Sequence, residues 1–210
     1  MKKTNLLLVA TISMIAFSTC LLNASTTNEV SQDIYVKQSA PDANQNSSDL
    51  SLSSSGNQSS EFYLRFNYAT AFENLSDAAI TLNLYNIYPD ESFNITVTVY
   101  GLEDGSVGES FDETTMTWNN KPPYGTALFS SDLSITSALK GTIIPFQSEE
   151  LADFMMASTN NIVSFAFVVT GGQTWKKCQF SPRTWVQMPK KPSLIAYEEE
   201  TSMGTLVVVQ

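Results

Sequence analysis

Histidine is absent from this 210-residue chain, cysteine occurs twice, and Lys+Arg total 11 against 21 Asp+Glu. Each shortage closes off chemistry. Without histidine the chain lacks the commonest general base, a member of the usual nucleophilic triads and the standard zinc ligand. Cys20 and Cys178 are too few for the disulfide framework of a small secreted module. A net charge of -10 offers no general positive surface to displace counterions, which argues against nucleic acid and anionic membranes as partners. Long apolar runs are missing too. The one from Leu6 to Phe17 is interrupted by Thr11 and Ser13 and falls short of the roughly 18 residues that span a bilayer.

That run instead has the order of a secretory leader: Lys2 and Lys3, an apolar stretch, then small residues around Ala24 and Ser25. Residues 1–24 are expected to be a signal peptide, leaving an exported mature chain with no transmembrane segment. Phe17-Ser18-Thr19-Cys20 has the position of a lipoprotein box, so a lipid anchor at Cys20 is the alternative to full release. With the leader removed, Cys178 is the sole thiol, and in a strand-like segment it reads as a small buried apolar residue. Asn46, Asn57, Asn74 and Asn94 begin Asn-x-Ser/Thr triplets, which a chain rich in these residues produces by chance.

What the chain has in quantity is alternation. In Glu61 to Tyr68 (EFYLRFNY), Phe62, Leu64 and Phe66 share one face while Tyr63, Arg65 and Asn67 share the other. Ala79 to Tyr85 and Phe93 to Leu102 repeat the pattern, as do Thr142 to Phe146, Ile162 to Thr170, Lys177 to Ser181 and Ser193 to Tyr197. Period two predicts half-buried antiparallel strands. Leu50 and Leu52, set in the polar stretch from Asp42 to Ser60, predict a short edge strand. One segment departs from period two: in SEELADFMM, Ser148 can cap, Glu149 and Glu150 suit a helix N-terminus, and Leu151, Phe154 and Met155 recur at helical spacing. The expected fold is all-β, a two-sheet antiparallel β-sandwich of jelly-roll type with one short helix. Residues 198–210 are expected to form a C-terminal tail or an extra strand.

Four stretches carry a likeness to a known family. They are Asp33-Ile34-Tyr35-Val36 followed by Pro41 and Asn44, then Tyr63-Leu64-Arg65-Phe66-Asn67. The third runs from Glu113 to Asn120 (ETTMTWNN) and ends in Pro122, and the last is Phe180-Ser181 with Pro192-Ser193-Leu194. In order and spacing residues 33–197 resemble carbohydrate-binding module family 96, also described as the DNRLRE domain, of secreted surface proteins and polysaccharide-degrading enzymes, which implies one domain over that span. Phe111, Asn46 and Asn67 stand where the family more often has Trp, Gly and an acidic residue. The resemblance implies a β-sandwich that binds a polysaccharide ligand, and alginate binding is among the activities described for the family.

The residues themselves offer several contact surfaces. Trp118 and Tyr124 flank a turn built by Asn119, Asn120, Pro122 and Pro123; the rings either fill a core or offer a stacking face to a sugar. Arg65, between Tyr63 and Asn67, either bonds a sugar hydroxyl or pairs with a carboxylate on a neighbouring strand. Trp175, Lys176, Lys177, Arg183 and Trp185, with Lys190 and Lys191 following, interleave rings and cations in an acidic chain. That combination suits an anionic glycan such as a uronate polymer, and a solvated rim is its other reading.

Glu103, Asp104, Glu109, Asp112 and Glu113 form an acidic loop, read either as solvated or as ligands of a structural calcium ion. No other cofactor is implied. Nothing singles out a catalytic pair among the carboxylates, so the expectation is a secreted, non-catalytic carbohydrate-binding protein. The alternatives are a structural or adhesive cell-surface protein that uses the fold for protein contacts, and a polysaccharide lyase or hydrolase.

Overall fold

The computed structural model describes residues 25–46, 49–72, 74–185 and 190–198; the expected signal peptide, Cys20 and the tail beyond Glu198 lie outside them. The described strands are β1 (Ser25–Lys37), β2 (Leu50–Ser53), β3 (Ser60–Asn67), β4 (Leu75–Tyr88) and β5 (Phe93–Gly101). They continue with β6 (Thr126–Ile135), β7 (Thr142–Ser148), β8 (Ile162–Gly172), β9 (Lys177–Phe180) and β10 (Ser193–Glu198), and helix α1 (Glu149–Met156) separates β7 from β8.

The described strands pair antiparallel throughout and form two layers. One layer runs β1–β3–β8–β5–β6. In the other, β7 borders β4, whose opposite edge meets β10 along one half and β9 along the other. β1 belongs to both layers. Its Ser25–Glu29 end pairs β10, and after a register shift between Val30 and Gln32 its remainder pairs β3. This is the expected all-β sandwich.

Phe62, Leu64 and Phe66 of β3 point between the layers and are fully buried, as the alternation predicts. Phe62 stacks on Phe167 of β8 (4.7 Å between centroids, 18° between planes) and meets Phe180 of β9 edge-on at 5.9 Å, so one ring ties both layers. Phe146 of β7 meets Phe167 edge-on at 5.1 Å from the opposite layer. α1 starts where the sequence places it: the Ser148 hydroxyl accepts from Leu151 N at 3.3 Å, and Leu151, Ala152 and Met155 are buried. Phe154 of α1 lies over Gly101, where a Cβ would collide with the ring.

Two expectations need correction. β2 is no edge strand: it pairs β9 along its length and touches β3 through Ser53 and Ser60, because the fully buried Leu50 and Leu52 belong to the common core. The pairing leaves β6 and β7 as the layer edges. β3 is not half-exposed either, since Tyr63 on its outer face is as completely buried as Phe62 on the inner.

Phe62→Ala is expected to lower stability by about 3–5 kcal/mol, read from the urea unfolding midpoint, because it opens a void between the two layers. A loss under about 1 kcal/mol would mean that the layers are not locked at this ring.

Candidate functional site

The outer face of β1, β3 and β8 is covered by the connection between β5 and β6, residues 102–125. Leu102, Phe111 and Met116 from this connection pack with Ile34, Val36, Tyr63 and Ala166 in a second apolar cluster, against which Trp118 lies half-buried. Polar contacts fix the cover in place. Glu113 accepts from the Asp33 backbone N–H at 3.0 Å and takes the Arg183 guanidinium, while Arg183 N donates to Asp33 Oδ2 at 2.6 Å. Asn44 Nδ2 donates to the carbonyls of Glu113 (2.9 Å) and Met116 (2.8 Å). Within the TTMTWNN segment, Asn120 accepts from Thr117 N at 2.6 Å and donates to the Thr115 carbonyl at 3.0 Å, closing the turn after Trp118.

A buried carboxylate sits beneath the far end of the cover. Glu61 is 2% exposed, and its Oε1 accepts from Tyr63 Oη (2.7 Å) and Lys121 Nζ (2.5 Å), while Tyr124 Oη donates to Oε2. Lys121 Nζ lies 4.0 Å from the Trp118 ring centroid and 4.8 Å from that of Tyr124, which stacks on Tyr100 at 4.9 Å. The structure thus assembles Tyr63, Trp118 and Tyr124 around one ion pair. Burial first, and the Glu61 carboxylate second, push the Tyr63 hydroxyl well above the usual tyrosine range. Burial and the hydrogen bond to Glu61 do the same at Tyr124. Hydroxyls held protonated in this way are poor general bases.

Among the described residues Arg65 forms no ion pair with a carboxylate, and its guanidinium meets the cover. Its Nη1 donates to the Phe111 carbonyl at 3.2 Å, its guanidinium lies 5.9 Å from the Phe111 ring, and Gln32 Oε1 accepts from Nη2 at 2.7 Å in the amide orientation that satisfies both groups. The acidic loop does not converge as the calcium reading requires. Glu109 is buried and accepts from Gly105 N and Asn160, Glu113 is held by Arg183, Asp104 takes the Thr159 hydroxyl and amide, and Asp112 caps Thr114. Glu103 is exposed at the surface. No group of three or more such ligands among the described residues could hold a metal ion.

The remaining predicted residues divide between two places. Trp175, Lys176 and Lys177 border a cleft of about 250 Å³, joined there by Tyr35, Lys37 and Tyr88. Its floor carries small polar groups, Ser51, Ser53, Ser55, Gln58 and Ser60. Trp185, by contrast, packs on Tyr85 at 4.7 Å, Arg183 serves the cover, Lys190 is exposed, and Lys191 pairs with Glu29 at 2.9 Å on the surface.

Strand register builds the cleft. Tyr88 of β4 is opposite Lys177 of β9, Lys177 is opposite Ser53 of β2, Ser53 is opposite Ser60 of β3, and Ser60 is opposite Lys37 of β1. Register partners present side chains to one face, so the row places a ring and two cations along four strand spacings, roughly 19 Å at about 4.8 Å each. Trp175 (63% exposed) and Tyr88 (68% exposed) present rings to solvent. Lys176 reaches Glu91, whereas among the described residues Lys37 and Lys177 have no carboxylate partner. Sequence inspection missed Tyr35, Lys37 and Tyr88. The turn signal Tyr88-Pro89-Asp90 marks a β4–β5 connection, but nothing in one dimension places it beside Trp175.

The cover carries its own pH signature. Burial raises the Asp33 carboxyl to about 6 from 3.8; Arg183 opposes the rise through its backbone N–H and guanidinium, and Glu113 adds to it. A folded pKa above the unfolded one means that this group stabilises fully below about 3.8 and that its contribution is lost as pH rises through about 6. Thermal stability is therefore expected to gain up to about 3 kcal/mol from this group between pH 7 and pH 4. Asp33→Asn should flatten that part of the profile, and an unchanged pH profile in the variant would contradict the assignment.

Comparison with curated proteins gives no match. The sequence profile of carbohydrate-binding module family 96 matches residues 24–195, from the start of β1 into β10 and across both layers, the cover and the cleft. The chain belongs to carbohydrate-binding module family 96, a family of non-catalytic binding modules.

Proposed function

We propose that this protein is an exported module that binds an acidic polysaccharide, a uronate polymer, along the cleft bordered by Trp175, Tyr88, Lys177 and Lys37. The observation that carries this reading is the composition of the cleft: exposed rings and three lysines line it, with no carboxylate among the lining residues, in a chain of net charge -10. Rings supply apolar planes for the C–H faces of pyranoses, and the ammonium groups of Lys37 and Lys177 pair with carboxylates. Serine hydroxyls on the floor suit sugar hydroxyls in either hydrogen-bonding sense.

Two further features favour an internal stretch of polymer over a chain end. The cleft is open to solvent, and Lys37 and Lys177 stand three strand spacings apart, roughly 14 Å, so one sugar residue does not reach both. The outer face of β3, where Arg65 and Tyr63 suggested a binding row, is occupied by the protein's own cover.

Affinity electrophoresis in gels containing alginate, pectate or a neutral glucan tests this reading. Retardation is expected in the two uronate gels, weakening as salt rises because the cations are partly exposed. Lys177→Ala and Lys37→Ala should each weaken uronate binding by about tenfold, in line with the loss of one charge-assisted contact. Absence of retardation in every gel would overturn the proposal and favour protein contacts as the role of the surface.

A further inference from the structure

The backbone at Trp175 has no conventional explanation in the packing of the fold. Its φ is 61°, in the left-handed region. Among the described residues the other positive-φ positions are Asn161 and the glycines 56, 105, 141 and 172, types that tolerate the region because they lack a Cβ or bond locally. A bulky side chain there brings its Cβ against the following carbonyl and is disfavoured. Such a conformation persists only when its surroundings over-determine it, and here they do. Gln173 N donates to the Asn94 carbonyl at 2.9 Å, Trp175 N donates to the Ser54 carbonyl at 3.3 Å, and Lys177 then locks into register with both Ser53 and Tyr88.

Burial does not offset this strain, since the side chain is 63% exposed. Glycine would satisfy the same turn and the same two backbone hydrogen bonds without it. We propose that the fold holds Trp175 in a strained left-handed conformation to present its indole to the ligand, making Trp175 a stability-costly binding determinant with Tyr88 as the ring on the neighbouring β4–β5 turn. The ligand half of this inference rests on the reading of the cleft as the glycan site; the strain half does not. A residue kept for packing would stabilise the protein, whereas one kept for presentation destabilises it and is justified only by contact with a partner.

Trp175→Gly and Trp175→Ala, compared with the wild type, separate these cases. Both substitutions remove the ring, but only glycine relieves the backbone. The glycine variant is expected to melt about 2–4 °C above the alanine variant and no lower than the wild type. Both variants should lose at least tenfold in affinity for alginate and pectate. A glycine variant that melts below the alanine variant would overturn the strain. Wild-type retention by Trp175→Gly would overturn the ring's role while leaving the cleft to Lys37, Lys177 and Tyr88. A wild type retained by neither polymer would remove the binding half together with the proposed function, and the melting comparison would still decide the backbone half.

Discussion

The structure depends on the centre of one layer being buried on both sides. β3 and β8 lie, over much of their length, between the sandwich core and the folded connection 102–125, so the side chains there are mostly apolar or hydrogen-bonded. Buried charge is tolerated only with partners, and the four carboxylates buried at the cover have them: Glu61 has two tyrosines and Lys121, Glu113 has Arg183 and a backbone amide, Glu109 has Gly105 N and Asn160, and Asp33 has Arg183 N. These contacts join β1, β3, the cover and the segment after β9, which are distant in sequence. Breaking one would strand a carboxylate in an apolar setting, so the network fixes the cover in a single arrangement.

With that face sealed, the proposed contact with a polysaccharide falls to the cleft where β1, β2, β3, β4 and β9 come together. Its chemistry is the inverse of the cover's. Beneath the cover the lysine is neutralised by a buried carboxylate and enclosed by rings, while in the cleft Lys37 and Lys177 have no carboxylate partner among the described residues and the rings of Trp175 and Tyr88 face solvent. In the proposed reading the same residue types serve architecture on one side and recognition on the other, according to whether a carboxylate from the chain itself meets the cation.

Much of the fold was legible in the sequence. Alternation located β3, β4, β5, β7, β8, β9 and β10, and the Ser148 cap with its glutamates located α1, because both signals are local. β6 escaped notice, since TALFSSDLSI is an edge strand with mostly exposed serines and only partly buried Leu128, Phe129 and Leu133. The outer face of β3 misled for a different reason. Tyr63 and Arg65 look like exposed polar residues in one dimension, yet their long bodies pack under the cover while their polar tips find Glu61 and the Phe111 carbonyl. The cleft was half legible: Trp175-Lys176-Lys177 is contiguous, whereas Tyr88 and Lys37 reach it only through strand register, which no local pattern encodes.

The chain holds three tryptophans, one at each of the places that matter: Trp118 at the cover, Trp185 on Tyr85 and Trp175 at the cleft. Their indole N–H resonances are three separate reporters in one NMR spectrum, and titration with a uronate oligosaccharide tests the division between sealed face and open cleft most directly. The Trp175 signal is expected to move with ligand while that of Trp118 stays in place. Movement of Trp118 with Trp175 unchanged would put the ligand on the face beneath the cover and contradict binding at the cleft.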